Sequence, residues 1–163
     1  MFTLGELFDA GFAAAPLPPP PAHRDFLCIR IGGEPSAIPL ADIASLHTGL
    51  RVVALPTRAP ELLGVAAIRA TVVAIYDLGA ALGIPGAGAP RWTAVVRGRP
   101  AGFAFAGFEG HARIPDRSIA VATQHGHVRG QFSLDGQARA IVDLGSVLTA
   151  LEHRWHSATA KDR

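Results

Sequence analysis

From Arg24 to Leu144 the apolar residues come in short β-rich runs, broken every few positions by Gly, Pro or Asp. That punctuation predicts an all-β chain. FLCIRI (26–31), SAIPL (36–40), DIASLH (42–47), LRVVAL (50–55), LGVAAIRA (63–70) and TVVAIYDL (71–78) each read as a strand. So do WTAVVR (92–97), AGFAFAGF (101–108), SIAVATQ (118–124), HVRGQFSL (127–134) and QARAIVDL (137–144). GGEP (32–35) is a turn, GRP (98–100) a hairpin loop, and Asp135-Gly136 a type I′ turn, which needs positive φ. Pro39 suggests a bulge or an edge position in its run, because proline cannot donate to a ladder. Short strands at this density predict a sandwich or small barrels.

One phrase is written twice. AIYDLGAAL at 74–82 returns as AIVDLGSVL at 140–148, 66 residues later. Two copies do not make a solenoid, so the echo marks equivalent corners of two similar halves. In each copy a buried strand runs into Asp77 or Asp143, whose carboxylate is suited to cap a short helix through backbone N–H groups. Behind the caps, Leu78, Ala81 and Leu82 share one helical face, as do Leu144, Val147, Leu148 and Leu151. Each half therefore reads as a small barrel sealed by a helical turn or more, with the aspartates as structural caps.

The ends differ in pattern. Residues 2–12, FTLGELFDAGF, set Leu4, Leu7, Phe8 and Phe12 at helical spacing, and Gly5 and Gly11 weaken that helix. PLPPPP (16–21) is a semi-rigid polyproline spacer. Residues 1–22 thus form an N-terminal segment, either a tail or a tethered docking element. Residues 23–152 are the β domain and 153–163 a C-terminal tail.

Composition adds exclusions. A chain of 163 residues buries enough surface to fold without disulfide or metal, and the single Cys28 has no internal partner. No apolar run approaches the roughly 18 residues a membrane span needs, and the start lacks a signal-peptide pattern. The expectation is a cytoplasmic protein without membrane insertion. His125 and His127 fall short of a zinc donor set, so no metal is expected. No phosphate loop, dinucleotide fingerprint or nucleophile elbow is present, so neither a cofactor nor catalysis is expected. Six arginines in 91–130, interleaved with Trp92 and phenylalanines, raise a nucleic-acid surface as a rival. Because they sit singly in turns, a solvated face is the reading taken.

Residues 50–86 resemble the CheW family of chemotaxis adaptors. Leu55-Pro56, Gly64-Val65, Ile68-Arg69 and Asp77-Leu78 stand where that family has its Leu-Pro turn, Gly-Val strand, terminal arginine and Asp-Leu corner. The likeness extends over about residues 26–151. It implies two five-stranded, SH3-like β-barrels side by side with short helices. It also implies an adaptor between a chemoreceptor's cytoplasmic tip and a CheA-type histidine kinase, with self-association through CheW-like surfaces as a further partner. Partner-binding positions carried over are Ile43, Ser45, Gly64, Val65, Ile68 and Arg69; Phe103 and Phe105 are added as a hydrophobic groove for a receptor helix. The plainer readings are core for the aliphatic and aromatic residues and a snorkelling side chain for Arg69. Three positions depart from the family. Ser45 replaces a Glu that would pair with Arg69, Ala70 replaces a Gly, and Ala106 replaces an Asp. Alanine at 70 predicts that this hairpin turns differently, and the lost Glu keeps open a relative that binds a receptor or another partner without supporting the kinase.

Overall fold

In the computed structural model, which describes residues 18–84 and 88–161, the short runs become eleven strands in two sheets. They are β1 His23–Ile31, β2 Glu34–Pro39, β3 Ile43–Thr48, β4 Leu62–Ile68, β5 Thr71–Asp77 and β6 Trp92–Val96. β7 Ala101–Phe105, β8 Gly107–Pro115, β9 Ala120–His125, β10 Val128–Leu134 and β11 Gln137–Val142 follow. Helix α1, Leu78–Ala81, follows β5, and helix α2, Leu144–Lys161, follows β11. The stretch 2–12 lies outside the described residues.

One sheet runs β8-β1-β2-β11-β10-β9 and the other β3-β6-β7-β5-β4. The two-subdomain, mainly β architecture is as expected, with six strands in place of five in the first sheet. The 66-residue echo is carried by topology as well as by words. β11 pairs antiparallel with β10 and parallel with β2, and β5 does the same with β4 and β7. Even the ladder irregularities repeat, between Leu62 and Gly64 in β4 and between Val128 and Gly130 in β10. The extra strand β9 has a vestige in the first half, an isolated bridge from Val53 to Val65. That bridge is all that forms of the strand predicted over 50–55.

The sequence halves are interleaved and do not each make a barrel. β1 and β2 complete the sheet of β8 to β11, while β6 and β7 complete the sheet of β3 to β5. The crossings fall at two short breaks. After β2 a 3-10 turn at Leu40–Asp42 carries the chain into β3. After β7 the run AGFAFAGF breaks at Ala106, so β7 and β8 sit in different sheets. Pro39 needs neither bulge nor edge, because β2 pairs with β11 only through Ser36 and Ala37 and ends at the proline.

Asp135 (φ 50°) and Gly136 (φ 74°) form the predicted type I′ turn. Arg69 (φ 46°) and Ala70 (φ 63°) form the equivalent turn, which overturns the expectation of a different one. Asp77 accepts from the Ala80 N–H and Asp143 from the Ser146 N–H, each at 2.9 Å, as helix caps. α2 is 18 residues long and continues through the stretch 153–161.

Three apolar clusters hold the molecule. Phe26, Cys28, Ala112, Phe132 and Ile141 fill the six-stranded sheet, and Ala66, Val73, Ile75, Val95 and Ala104 fill the five-stranded one. Between the sheets lies the largest cluster, including Ile29, Ile31, Phe103, Phe105, Leu144, Leu148 and Leu151. Each large aliphatic removed from water there contributes about 1.5–3 kcal/mol, so the α2 face seals the join.

Candidate docking site

The interior of the five-stranded sheet opens at one end into a cleft of about 410 Å³. β3 supplies Ala44 and Ser45, the β4–β5 hairpin Ile68, Arg69, Thr71 and Val73, and the β6–β7 hairpin Val95, Val96 and Gly98 to Pro100. Alternation places Val73 and Val95 inward as the floor. The turn at Arg69-Ala70 lifts the guanidinium to the exposed rim. Among the described residues Arg69 has no ion-pair partner. The other rim arginine, Arg99, is paired with Glu152 of α2. Arg97 donates to the carbonyls of Ala41 (2.8 Å) and Ile43 (2.7 Å), which fixes β6 against the crossing into β3. Ser45 Oγ lies 2.8 Å from His47 Nε2, so no carboxylate lines the cleft where the family would place one.

The other sheet shows what such a mouth looks like when the chain fills it. Val73 and Thr71 correspond across the 66-residue echo to Arg139 and Gln137. Arg139, 6% exposed, reaches Glu109 Oε2 at 2.5 Å, and Arg30 reaches Glu109 Oε1 at 2.6 Å. Arg30 also donates to Gln137 at 3.2 Å. Burial pushes the Glu109 carboxyl up, but hydrogen bonds from Arg139 and Arg30 outweigh it and hold it below the usual carboxylate range. One mouth is plugged by its own ions and the other is open.

Of the eight positions the sequence nominated, Ser45, Ile68 and Arg69 meet at this cleft. Ile43, Phe103 and Phe105 are instead 4%, 0% and 4% exposed, within the cluster between the sheets. Their surface placement is corrected, because the crossing from β2 to β3 turns Ile43 inward and β7 is a central strand. The groove expected between the barrels is filled by these side chains and the α2 leucines. Gly64 is buried at φ 146°, where a Cβ would stand 2.1 Å from the Val53 carbonyl oxygen. Val65 exchanges backbone hydrogen bonds with Val53 and does not line the cleft. Sequence reasoning missed Val72, 67% exposed beside the hairpin turn. Its signal was the period-2 alternation against buried Val73 and Ile75.

The charged and aromatic rival surface is mostly committed elsewhere. Arg97 holds backbone carbonyls, Arg99 pairs with Glu152, Arg113 lies 3.9 Å from Asp25, and Arg129 bridges Asp143 (2.7 Å) and Asp42 (3.2 Å). Trp92 packs on Phe108, ring centroids 4.8 Å apart. His127 Nδ1 lies 2.8 Å from Ser146 Oγ, and the His125 side chain lies outside the described residues. Among the described residues no group of three His, Cys, Asp or Glu side chains is placed to hold a metal. No helix among them is long and apolar enough to cross a membrane.

A CheW-like domain family matches residues 25–152, both sheets and the first half of α2. The chain belongs to the CheW-like family. Its structure is similar to the scaffolding protein TtCheW from Thermoanaerobacter tengcongensis, with a TM-score of 0.69 at 17% identity. That likeness covers 76% of this chain and 90% of the other. No curated protein matches by sequence. The cleft of Ser45, Ile68 and Arg69 therefore sits inside the CheW-like domain, and the last turns of α2 lie beyond it.

Proposed function

We propose that this CheW-like protein is a cytoplasmic chemosensory adaptor that works by presenting surfaces, without turnover. Its open barrel mouth docks the CheW-like regulatory domain of a CheA-type histidine kinase, and a chemoreceptor tip binds another exposed face. One observation carries the reading: an apolar cleft rimmed by Arg69, which has no ion-pair partner among the described residues, where the equivalent mouth of the other sheet is closed by its own Glu109. A partner that fills the floor and supplies an acceptor to Arg69 satisfies both needs. Such contacts are individually weak in signalling assemblies, and repetition in an array gives them strength.

The test is Arg69→Glu. Because Arg69 is exposed and has no ion-pair partner among the described residues, melting should shift by no more than about 1 °C, while affinity for the kinase domain falls at least tenfold, a loss of about 1.4 kcal/mol. Unchanged affinity would overturn the docking assignment. A second reading follows from Ser45, whose hydroxyl is engaged by His47 where the family has a Glu. Under it the protein binds a receptor or another partner without recruiting the kinase. Co-sedimentation with receptor tips and kinase separates the two: a ternary complex supports the adaptor, a receptor-only complex the second reading.

A further inference from the structure

A second groove lies far from the barrel mouth in construction. It is built from the connection preceding β4 and from the last turns of α2, and encloses about 430 Å³. Ala59, Pro60, Trp155 and Ala158 make an apolar floor, with Arg58 and Arg154 on the rim. Arg154 is held 3.3 Å from the buried carboxylate of Glu61, whose side chain is 8% exposed. Arg58 has no ion-pair partner among the described residues. Glu61 is itself fixed by the strand next to it, its carbonyl accepting from the Asp77 N–H at 2.7 Å. The groove is therefore rigid on one side and helical on the other, and its rim is basic.

We infer that this groove is the docking site for the chain's own N-terminal residues 2–12. Three observations select that occupant. The first is pattern: Leu4, Leu7, Phe8 and Phe12 recur at helical spacing, and the groove has room for a pair of such side chains. The second is charge. Residues 2–12 contain Glu6 and Asp9 and no cation, a charge complementary to that of Arg58 on the groove rim. The third is position relative to the family domain, which spans 25–152. Residues 2–12 and the helical turns bearing Trp155 and Ala158 both lie outside it, so the chain carries the groove wall and its filler as paired additions.

β1 runs antiparallel to β2, and β2 parallel to β11, so β1 begins at the end of the six-stranded sheet where α2 starts, and the N-terminal residues enter the domain at that end. Docking within one molecule also gives the segment a local concentration in the millimolar range, enough for a small apolar contact.

Trp92 and Trp155 are the two tryptophans, so Trp92→Phe in the full chain leaves Trp155 as sole reporter. Replacing Leu7 and Phe8 by Ser in that chain should red-shift its emission and raise acrylamide quenching about twofold. Arg58→Glu should give a smaller rise. Equal quenching with and without the Ser substitutions overturns the proposal. Protection that appears only with rising protein concentration assigns the groove to a second copy, and protection only on adding kinase or receptor assigns it to a partner; either overturns the intramolecular form. Should Trp92→Phe disturb packing against Phe108, amide exchange over residues 150–158 of the otherwise natural chain answers the same question. Exchange there must accelerate in the Leu7/Phe8 variant, and identical rates sink the idea. The readout does not involve Arg69, so its failure is distinguishable from failure of the adaptor reading.

Discussion

Arg69 and Ala70 hold the β4–β5 turn in the left-handed region, at φ 46° and 63°. For a residue with a Cβ that conformation costs about 1–2 kcal/mol, while glycine's extra freedom in the unfolded chain costs about 0.5–1. Relief exceeds the penalty. Ala70→Gly should therefore stabilise by about 0.5–1 kcal/mol, read as a rise of about 1–4 °C in a thermal melt followed by circular dichroism. A fall would show that the turn is held by something other than its own backbone preference. The equivalent turn already has Gly136, which is why Asp135-Gly136 was legible as a hairpin and Arg69-Ala70 suggested a different turn. Gly64 and Gly130 make a similar pair 66 residues apart: a Cβ at either would meet a carbonyl oxygen, of Val53 at 2.1 Å and of Ala120 at 2.5 Å. Nothing in a lone sequence distinguishes such a glycine from one on a binding face. The acid response is also set at single residues. Glu109 is held below its ordinary value of 4.5, so the stability it adds is complete above pH 4.5 and is lost as pH falls through the lower folded value. Glu109→Gln removes that contribution and leaves the buried Arg139 guanidinium short of an acceptor, a loss of about 2–3 kcal/mol at neutral pH. Urea midpoints across pH 3–7 should show the natural chain losing stability toward pH 3 more steeply than the variant. Parallel curves would mean that Glu109 does not couple to the proton.

Among the elements, α2 shows how a cap, a stripe and a salt link cooperate. Asp143 Oδ1 accepts from the Ser146 N–H while Oδ2 takes the Arg129 guanidinium at 2.7 Å. That hydrogen bond from Arg129 is the largest cause keeping the Asp143 carboxyl below its usual range. The same guanidinium lies 3.2 Å from Asp42, in the turn where the chain leaves one sheet for the other. Burial pushes Asp42 up, and Arg129 opposes it. Asp143→Ala should cost about 1–2 kcal/mol, cap and ion pair together, and lower the urea midpoint at unchanged slope. Asp77→Ala should cost less, because α1 is only four residues long; equal costs would refute the role given to Arg129. The caps were readable because Asp stands between a strand and an apolar helical stripe. The length of α2 was not, because residues 153–161 continue a helix with little apolar face. β8 was readable in principle: Phe108, Ala112 and Ile114 alternate with Glu109, His111 and Arg113. The continuous run of 101–108 masked where it starts. LRVVAL looked as strand-like as its neighbours, yet it pairs only through Val53, on the outer edge of β4.

At the scale of the whole molecule, the echo told of two equivalent corners but could not say how the halves share their strands. Strand exchange is invisible to periodicity, because β3 and β8 carry the same alternation whichever sheet they join. What decides it is the pair of crossings at Leu40–Asp42 and Ala106, too short to bring the chain back into the sheet it has left. Phe103 and Phe105 looked like candidates for an exposed groove for the same reason: only the exchange makes β7 a central strand with the other sheet and α2 packed over it. This architecture has a consequence for folding that a pair of independent barrels would not. Cut between residues 86 and 87, the chain gives an N-terminal piece with β1 to β5 and a C-terminal piece with β6 to β11. Neither piece holds a complete sheet: the first lacks the β6 and β7 that join β3 to β5, and the second lacks the β1 and β2 that join β8 to β11. Each alone should then show no cooperative melt, since its strands expose both edges and the Leu144, Leu148 and Leu151 face has no cover. Mixed at equal concentration, the two should regain β-sheet circular dichroism and a single transition whose midpoint rises with concentration, as association requires. If either fragment melts cooperatively by itself with the same midpoint at all concentrations, the two sheets are independent units and the interleaved assignment of β1, β2, β6 and β7 is wrong.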